Sequence, residues 1–286
     1  MLLGFIPIII SGRSITVNYI LYNPKANNGQ KPEYLEGVEY KEVIGLDYQA
    51  FFDGLAPEDE VTFVGGDGTL NYFINAVDTD KIKNNVYLKT SGSGNDFMND
   101  LDNHDCNAIL LNDYIKNLPT VWVNGMERKF INGIGYGIDG YCCEVADEIR
   151  AADPGKQIDY TAIAIKGLLF HFKPKSATIT VDGEEHKFKN VWLAPSMKGR
   201  FYGGGMMVAP EQNRLGDTLS CVVYHAKSKI KSLIIFPNIF KGTHVKHTEM
   251  VSIMCGKEIE VKFDEPCALQ IDGETVLNVS SYKVKA

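Results

Sequence analysis

The stretch Val64-Gly65-Gly66-Asp67-Gly68-Thr69-Leu70-Asn71 constrains this chain more than any other. A short apolar run, Glu60 to Val64, feeds straight into glycines. From Leu70 to Val77 the pattern turns helical, with Leu70, Phe73, Ile74 and Val77 on one face. Three glycines permit positive φ and close approach of the backbone to a phosphate chain. A helix starting near Leu70 would turn its free N–H groups toward such an anion. Asp67 is the odd member, because a carboxylate beside phosphates repels them. It makes sense where a divalent cation bridges the two, or where the carboxylate orients a hydroxyl. The competing account is a tight strand-to-helix turn with Asp67 as its N-cap.

The pattern recurs. Asn85 to Leu88 reads as a second short strand, followed by Thr90-Ser91-Gly92-Ser93-Gly94-Asn95-Asp96-Phe97. Either loop alone is ordinary turn chemistry, but two at successive strand ends lie side by side in one crevice of an open α/β sheet. Thr16 to Tyr22, β-rich and ending at Asn23-Pro24, adds a third strand, so the first part of the chain implies an α/β domain around a parallel sheet. Past Thr120 the character changes. Val121–Val123, Phe130–Ile134, Ala177–Val181, Lys187–Ala194, Leu219–Tyr224, Val251–Met254, Glu258–Phe263 and Ala268–Ile271 read as strands, with hairpin signals at Asp182-Gly183 and Asp272-Gly273. Helices are expected at Tyr141–Ala151, Tyr160–Phe172 and Ile230–Phe240. This half implies a mainly antiparallel β-sandwich. A length of 286 residues suits two domains. We place them at 1–119 and 120–275, with 276–286 expected to pack back onto the first.

Other classes are excluded or disfavoured. With 29 Lys and Arg against 36 Asp and Glu, the net charge of −7 argues against a nucleic-acid partner. No apolar run is long enough to span a bilayer. Met1 to Ile10 is apolar but short, without the basic start and cleavage site of a signal peptide, and reads as a first strand or an extension. Six cysteines without a CxxC pair suit free thiols in a reducing cytoplasm. There is no Gly-x-Ser-x-Gly elbow, no P-loop Gly-Lys-Ser/Thr, and no zincin carboxylate beside His244 and His247. Gly135-x-Gly137-x-x-Gly140 matches the dinucleotide fingerprint formally. It lies in the β-rich half with no parallel strand after it, so it is not read as a NAD(P) site.

Further landmarks follow the two glycine loops in order: Asn23-Pro24-Lys25-Ala26 before them, then Asn132 through Asp139, Gly203-Gly204-Gly205-Met206 with Ala209-Pro210 and Asp217, and Asp272-Gly273-Glu274. In this order they resemble the diacylglycerol kinase catalytic-domain family, which includes sphingosine kinases and soluble bacterial lipid kinases. The resemblance covers nearly the whole chain. It implies an N-terminal α/β domain with a NAD-kinase-like parallel sheet, a C-terminal β-sandwich, and ATP in the cleft between them. The nucleotide would be held by Asn23, Pro24, Lys25, Ala26, Gly65, Gly66, Asp67, Gly68, Thr69, Leu70, Asn71, Gly92, Ser93, Gly94 and Asn95. Glu274 would be the base that takes the lipid hydroxyl proton. Asp67 and Asp96 would organise a catalytic Mg²⁺, directly or through water. A second, structural Mg²⁺ is implied at Asp217 with the main-chain carbonyls of Arg214 and Leu219.

Four departures from the family stand out: Tyr72 where Glu is frequent, Val121-Trp122-Val123 in place of Asp-x-Gly, no Thr in Tyr40–Gly45, and Thr218 where Gly is usual. The activity implied is an ATP-dependent lipid kinase of phospholipid metabolism, acting on diacylglycerol or a similar lipid alcohol. The alternatives are a NAD kinase-like enzyme or a non-catalytic nucleotide- or lipid-binding module. The partners implied are a lipid substrate and a transiently contacted membrane surface, from the cytoplasm, with homodimerisation open. Ile230 to Phe240, flanked by Lys227, Lys229, Lys241 and Lys246, either leans on an anionic membrane or packs as a core helix. Tyr160 to Phe172 either lines an acyl-chain pocket or is likewise core.

Overall fold

The computed structural model describes residues 16–24, 32–91, 95–101 and 108–286. Residues 1–15, Lys25, Ala26, Gly92, Ser93, Gly94 and Cys106 lie outside the described residues. The first unit runs β1 (Asn18–Tyr22), β2 (Val38–Glu42), α1 (Tyr48–Asp53), β3 (Glu60–Gly65), α2 (Asp67–Ala76), β4 (Asn85–Thr90), α3 (Asp96–Asn99) and β5 (Ile109–Leu110). Its sheet has the order β2-β1-β3-β4-β5. The first four strands are parallel, and β5 joins β4 antiparallel. In β3 the buried residues alternate, Val61, Phe63 and Gly65, because side chains point to opposite faces along a strand. Phe63 meets Phe73 of α2 with ring centroids 4.4 Å apart. The apolar face expected for this helix is therefore the one that covers the sheet.

The second unit begins with β6 (Thr120–Val123), β7 (Met126–Lys129) and β8 (Gly133–Tyr136), then α4 (Ile138–Ala152) and α5 (Tyr160–Lys166). There follow β9 (Lys175–Val181), β10 (Glu184–Leu193), β11 (Ser196–Met197), β12 (Phe201–Tyr202), β13 (Met206–Met207), β14 (Leu219–His225), α6 (Lys229–Ile235), β15 (Val251–Gly256), β16 (Glu258–Ile271) and β17 (Glu274–Lys285). The strand order β7-β6-β17-β16-β8-β11-β14-β10-β9 closes on itself, because β9 also pairs with β16. The long β16 makes this possible: Ile259 to Phe263 face β9, while Leu269 to Ile271 face β8. In β14 the buried residues serve two cores in alternation. Cys221 and Val223 join the cluster between strands, and Val222 and Tyr224 join the cluster beneath α4, α5 and α6. A strand buried on both faces reads as a continuous apolar run, which is how Cys221–Tyr224 appears in the sequence.

Several expectations need correction. The helix after the first glycine loop starts at Asp67, not near Leu70. The strand expected at Phe130–Ile134 starts only at Gly133, because the amides of Ile131, Asn132 and Gly133 turn toward the Asp272 carboxylate. The helix expected over Tyr160–Phe172 is α5 followed by a π turn at Gly167–His171. The one over Ile230–Phe240 changes to 3-10 geometry at Phe236–Lys241, where Pro237 removes a donor. Residues 276–286 do not return to the first unit. Residues 276–285 belong to β17, between β16 and β6, where Tyr282 and Val284 point into the second unit's core, and the Ala286 amide donates to the Lys257 carbonyl.

One side chain crosses the other way. Ile131, fully buried, belongs to the apolar cluster of the first unit although the chain has already passed into the second. Ile131→Ala should therefore lower the stability of the whole molecule by about 2–5 kcal/mol in urea unfolding. A loss below about 1 kcal/mol would mean that the two cores are not joined through this residue.

Candidate active site

Gly65 ends β3 and Gly66 is the N-cap of α2, without a side-chain cap. A Cβ on Gly65 would stand 2.4 Å from the Thr69 hydroxyl, so glycine is required for the strand to meet the helix this closely. Gly68 is different: a Cβ there would meet nothing within 4 Å, so packing within the protein does not call for glycine.

Asp67 caps the neighbouring helix rather than its own. Its Oδ2 accepts from the Asp96 amide at 2.7 Å and its Oδ1 from the Phe97 amide at 3.0 Å. The N-cap residue of α3, Asn95, makes no side-chain cap of its own. The first glycine loop thus supplies the acceptor that the first turn of α3 lacks.

Asp96 repeats the move across the boundary between units. It is 6 % exposed, and its carboxylate accepts from the amides of Gly204 at 2.8 Å and Gly205 at 2.6 Å. Gly203, Gly204 and Gly205 all have positive φ, at 64°, 82° and 101°, a run that only glycine adopts readily. Successive amides in such a turn form a concave donor site for an anion. Burial pushes the Asp96 carboxyl up to about 6, and the Asp67 and Asp272 carboxylates push the same way; the two glycine amides oppose them.

The third acid, Asp272, sits in the β16–β17 turn with φ 45°. It takes four donors: the amides of Ile131, Asn132 and Gly133 at 2.7, 2.9 and 3.0 Å, and the Asn71 side-chain amide at 3.0 Å. Burial raises its pKa above the ordinary carboxylate value, against these hydrogen bonds. The same turn presents Glu274, which pairs with Arg128 Nη1 and is half-exposed. Arg128 Nη2 also donates to Asn71 Oδ1 at 2.9 Å. The expected base is thereby connected through Arg128 to the second turn of α2, just behind the glycine loop.

Asp100, four residues after Asp96, forms a further tie between the units. Its side chain is 2 % exposed, and it accepts from Arg200 Nε and Arg214 Nε, both at 2.6 Å. Arg214 also donates to the Ile131 carbonyl at 2.5 Å and to Asn132 Oδ1 at 2.8 Å, and lies over the Phe97 ring. Neither Asp100 nor Arg128 was singled out from the sequence. The one signal for Asp100 is its spacing of four from Asp96, as the C-cap of a short helix; its cationic partners are about a hundred residues away. A cavity of about 630 Å³ opens beside these pairs, lined in part by Tyr114, Arg200, Pro210 and Arg214. Asp67, Asp96 and Glu274 are not among the described residues that line it.

The two magnesium sites implied by the resemblance fare differently. Among the described residues, no group of three or more His, Cys, Asp or Glu is arranged to hold a metal. Magnesium is commonly bound by one or two carboxylates together with substrate phosphates. Asp67 and Asp96, close enough for one to raise the other's pKa, fit that pattern, with each carboxylate oxygen already taking one amide. The structural site does not fit. Asp217 is exposed and paired with Lys257 Nζ at 2.6 Å, and Lys198 Nζ donates to the Gly216 carbonyl at 2.8 Å. Arg214 places its guanidinium in the interface, and Leu219 opens β14 opposite Gly256. A divalent cation at that turn would face two ammonium groups.

The fingerprint at Gly135, Gly137 and Gly140 has a packing explanation. Added Cβ atoms would lie 2.7 Å from Asp139, 2.5 Å from the Trp192 carbonyl and 1.9 Å from the Ala268 carbonyl. The space a phosphate would need is filled with protein.

Comparison with known proteins agrees with this architecture. Residues 132–283, more than half of the chain, match the family described as YegS C-terminal NAD kinase beta sandwich-like domain, and residues 18–119 match the Diacylglycerol kinase catalytic domain. The chain belongs to the diacylglycerol kinase catalytic-domain family. A protein named Diacylglycerol kinase from Mycobacterium tuberculosis is 26 % identical over 239 residues, covering 79 % of this chain and 75 % of that protein. The Putative lipid kinase YtlR of Bacillus subtilis is 26 % identical over 231 residues, 74 % of this chain and 72 % of that one. A crystal structure of a putative diacylglycerol kinase from Bacillus anthracis shares the fold at a TM-score of 0.65 and 18 % identity, covering 94 % of this chain and 93 % of that one. In this family member, then, the first glycine loop, the start of α3, a glycine-rich turn and the Asp-Gly-Glu hairpin meet at one junction.

Removing the Asp100 carboxylate tests that junction. Asp100→Ala leaves Arg214 buried without its counter-charge and should destabilise the protein by about 3–5 kcal/mol in urea unfolding. A change under about 1 kcal/mol would mean that the two arginines do not depend on it.

Proposed function

We propose that the protein is a lipid kinase that transfers the γ-phosphoryl group of ATP to the hydroxyl of diacylglycerol or a similar lipid alcohol. The observation that carries this reading is the hydrogen-bonded line from Glu274 through Arg128 to Asn71. It sets a carboxylate from the end of the chain beside the helix whose N-terminus follows the glycine loop. Gly68 supports the nucleotide's position, since its open side leaves room for a phosphate to approach α2's first amides. Asn23, Pro24 and the loop around Asn95 are assigned to the same nucleotide.

In the step itself, the lipid oxygen attacks the γ-phosphorus and its proton passes to Glu274. The bond from the γ-phosphorus to the bridging oxygen breaks, and ADP leaves. Arg128 holds Glu274 Oε2, which leaves Oε1 to accept the proton. Asp67 and Asp96 would hold a divalent cation, through water, that spreads the charge of the transferring group. Their second task is mechanical, because each also fixes a loop of the cleft through backbone amides. A lipid acceptor also implies work at a membrane surface. No helix among the described residues is long and apolar enough to cross a membrane.

NAD is the rival acceptor, since the second unit's family is itself described as NAD kinase beta sandwich-like. The protein incubated with ATP and Mg²⁺ should phosphorylate a micellar lipid alcohol and leave NAD unchanged. Glu274→Gln should lower kcat about 10²–10⁴-fold, and Asp67→Ala should lower it comparably. Phosphorylation of NAD alone, tight nucleotide binding without turnover, or full activity in both variants would each overturn the proposal.

A further inference from the structure

We propose that the face formed by α5, the π turn after it, α6 and the 3-10 segment after α6 docks on an anionic lipid bilayer. The proposal rests on the lipid-kinase reading for its choice of a bilayer as partner. Five large apolar side chains are turned outward here: Phe170 at 74 % exposure, Ile230 at 72 %, Ile234 at 69 %, Ile165 at 43 % and Phe240 at 42 %. Single exposed apolar residues need no explanation, whereas a group on adjoining elements does.

The elements adjoin: Lys229 Nζ at the start of α6 donates to the Leu169 carbonyl, next to Phe170, at 3.2 Å. Ile230 and Ile234 are four apart and share one side of α6. The opposite side buries Ser232 and Ile235, and Phe236 and Ile239 beyond them, in the cluster beneath the helices. Of the two accounts of Ile230–Phe240, core helix or membrane-facing helix, each describes one side of the same segment.

Charge identifies the partner. Residues 226–248 contain five lysines and no Asp or Glu, and residues 160–181 contain three lysines and no Asp or Glu. The chain as a whole carries −7, so this face runs against the balance of the molecule. Among the described residues, Lys166, Lys173, Lys227, Lys231 and Lys241 make no ion pair, although lysines elsewhere pair with acids. Apolar side chains fringed by unpaired lysines fit the boundary between acyl chains and anionic headgroups. A protein partner of acidic, apolar character would need directional partners; a bilayer needs only depth and charge.

The test is co-sedimentation with phosphatidylcholine vesicles, with and without phosphatidylglycerol, in the absence of nucleotide. The wild type should bind the anionic vesicles more tightly, less so at high salt. Phe170→Ser with Ile230→Ser and Ile234→Ser should weaken binding to both vesicle types by roughly tenfold or more. Lys227→Gln with Lys231→Gln and Lys241→Gln should weaken binding to the anionic vesicles alone, by on the order of a hundredfold. Both triple variants alter exposed positions, so their thermal unfolding and their turnover of a short-chain, water-soluble diacylglycerol should match the wild type.

Wild-type binding by either variant would overturn the proposal. So would a triple-serine variant that sediments as a monomer where the wild type is a dimer, with vesicle binding unchanged; the face would then be an interface between copies. A wild type that shows the vesicle pattern yet phosphorylates no lipid would overturn the kinase reading and leave the surface standing. Phosphorylation of the soluble lipid with no vesicle binding would do the reverse.

Discussion

The Asp96 carboxylate, gripped by the amides of Gly204 and Gly205, is the contact on which the rest of the junction depends. It draws a glycine-rich turn of the second unit onto the first turn of α3. That first turn is itself fixed by Asp67, which caps α3 from the first loop. Asp272 closes the circuit from the other side by binding Asn71 of α2 and three amides of the segment that crosses between the units. Each acid belongs to one segment and satisfies the backbone of another. A buried carboxylate is costly unless hydrogen-bonded, and the upward shift of the Asp96 carboxyl reflects the burial these amides work against.

Under the lipid-kinase proposal, Asp67 and Asp96 also serve the site. Removing one releases a loop as well as a charge, so binding and stability at this junction are linked. Glu274 stands apart. It is half-exposed and bonded to a side chain, Arg128, rather than to buried backbone amides. The base proposed at Glu274 would benefit from that freedom, whereas Asp67, Asp96 and Asp272 are fixed by backbone amides.

Much of the fold was legible because it follows from period and turn chemistry. The apolar run at Glu60–Val64, the helical face of Phe73 and Ile74, and the Asp272-Gly273 hairpin all lie where the sequence puts them. The junction was far less legible. Apart from the Asn71 side chain, the donors to Asp96 and Asp272 are backbone amides, which every residue but proline carries, so nothing in Gly204 or Ile131 advertises them. Asp100 and Arg214 find each other only once the second unit has folded back. The displaced start of β8 has the same origin: Phe130–Asn132 carries a strand-like pattern, but its amides are claimed by Asp272.

Glycine patterns illustrate the same limit. Gly135, Gly137 and Gly140 spell a dinucleotide fingerprint, and each one is explained by protein atoms that leave no room for a Cβ. Gly203 to Gly205 are explained by positive φ and the acid they hold. Gly68 of the first loop lies within α2 and faces open space, so neither packing nor a positive φ calls for glycine there, and under the lipid-kinase proposal the nucleotide accounts for it. The most direct measurement is therefore calorimetric titration of Gly68→Ala with a non-hydrolysable ATP analogue and Mg²⁺. Alanine suits the helix better than glycine, so thermal stability should hold or rise, while nucleotide affinity should fall by roughly tenfold or more. Unchanged affinity in a stably folded variant would contradict the assignment of this loop to the nucleotide.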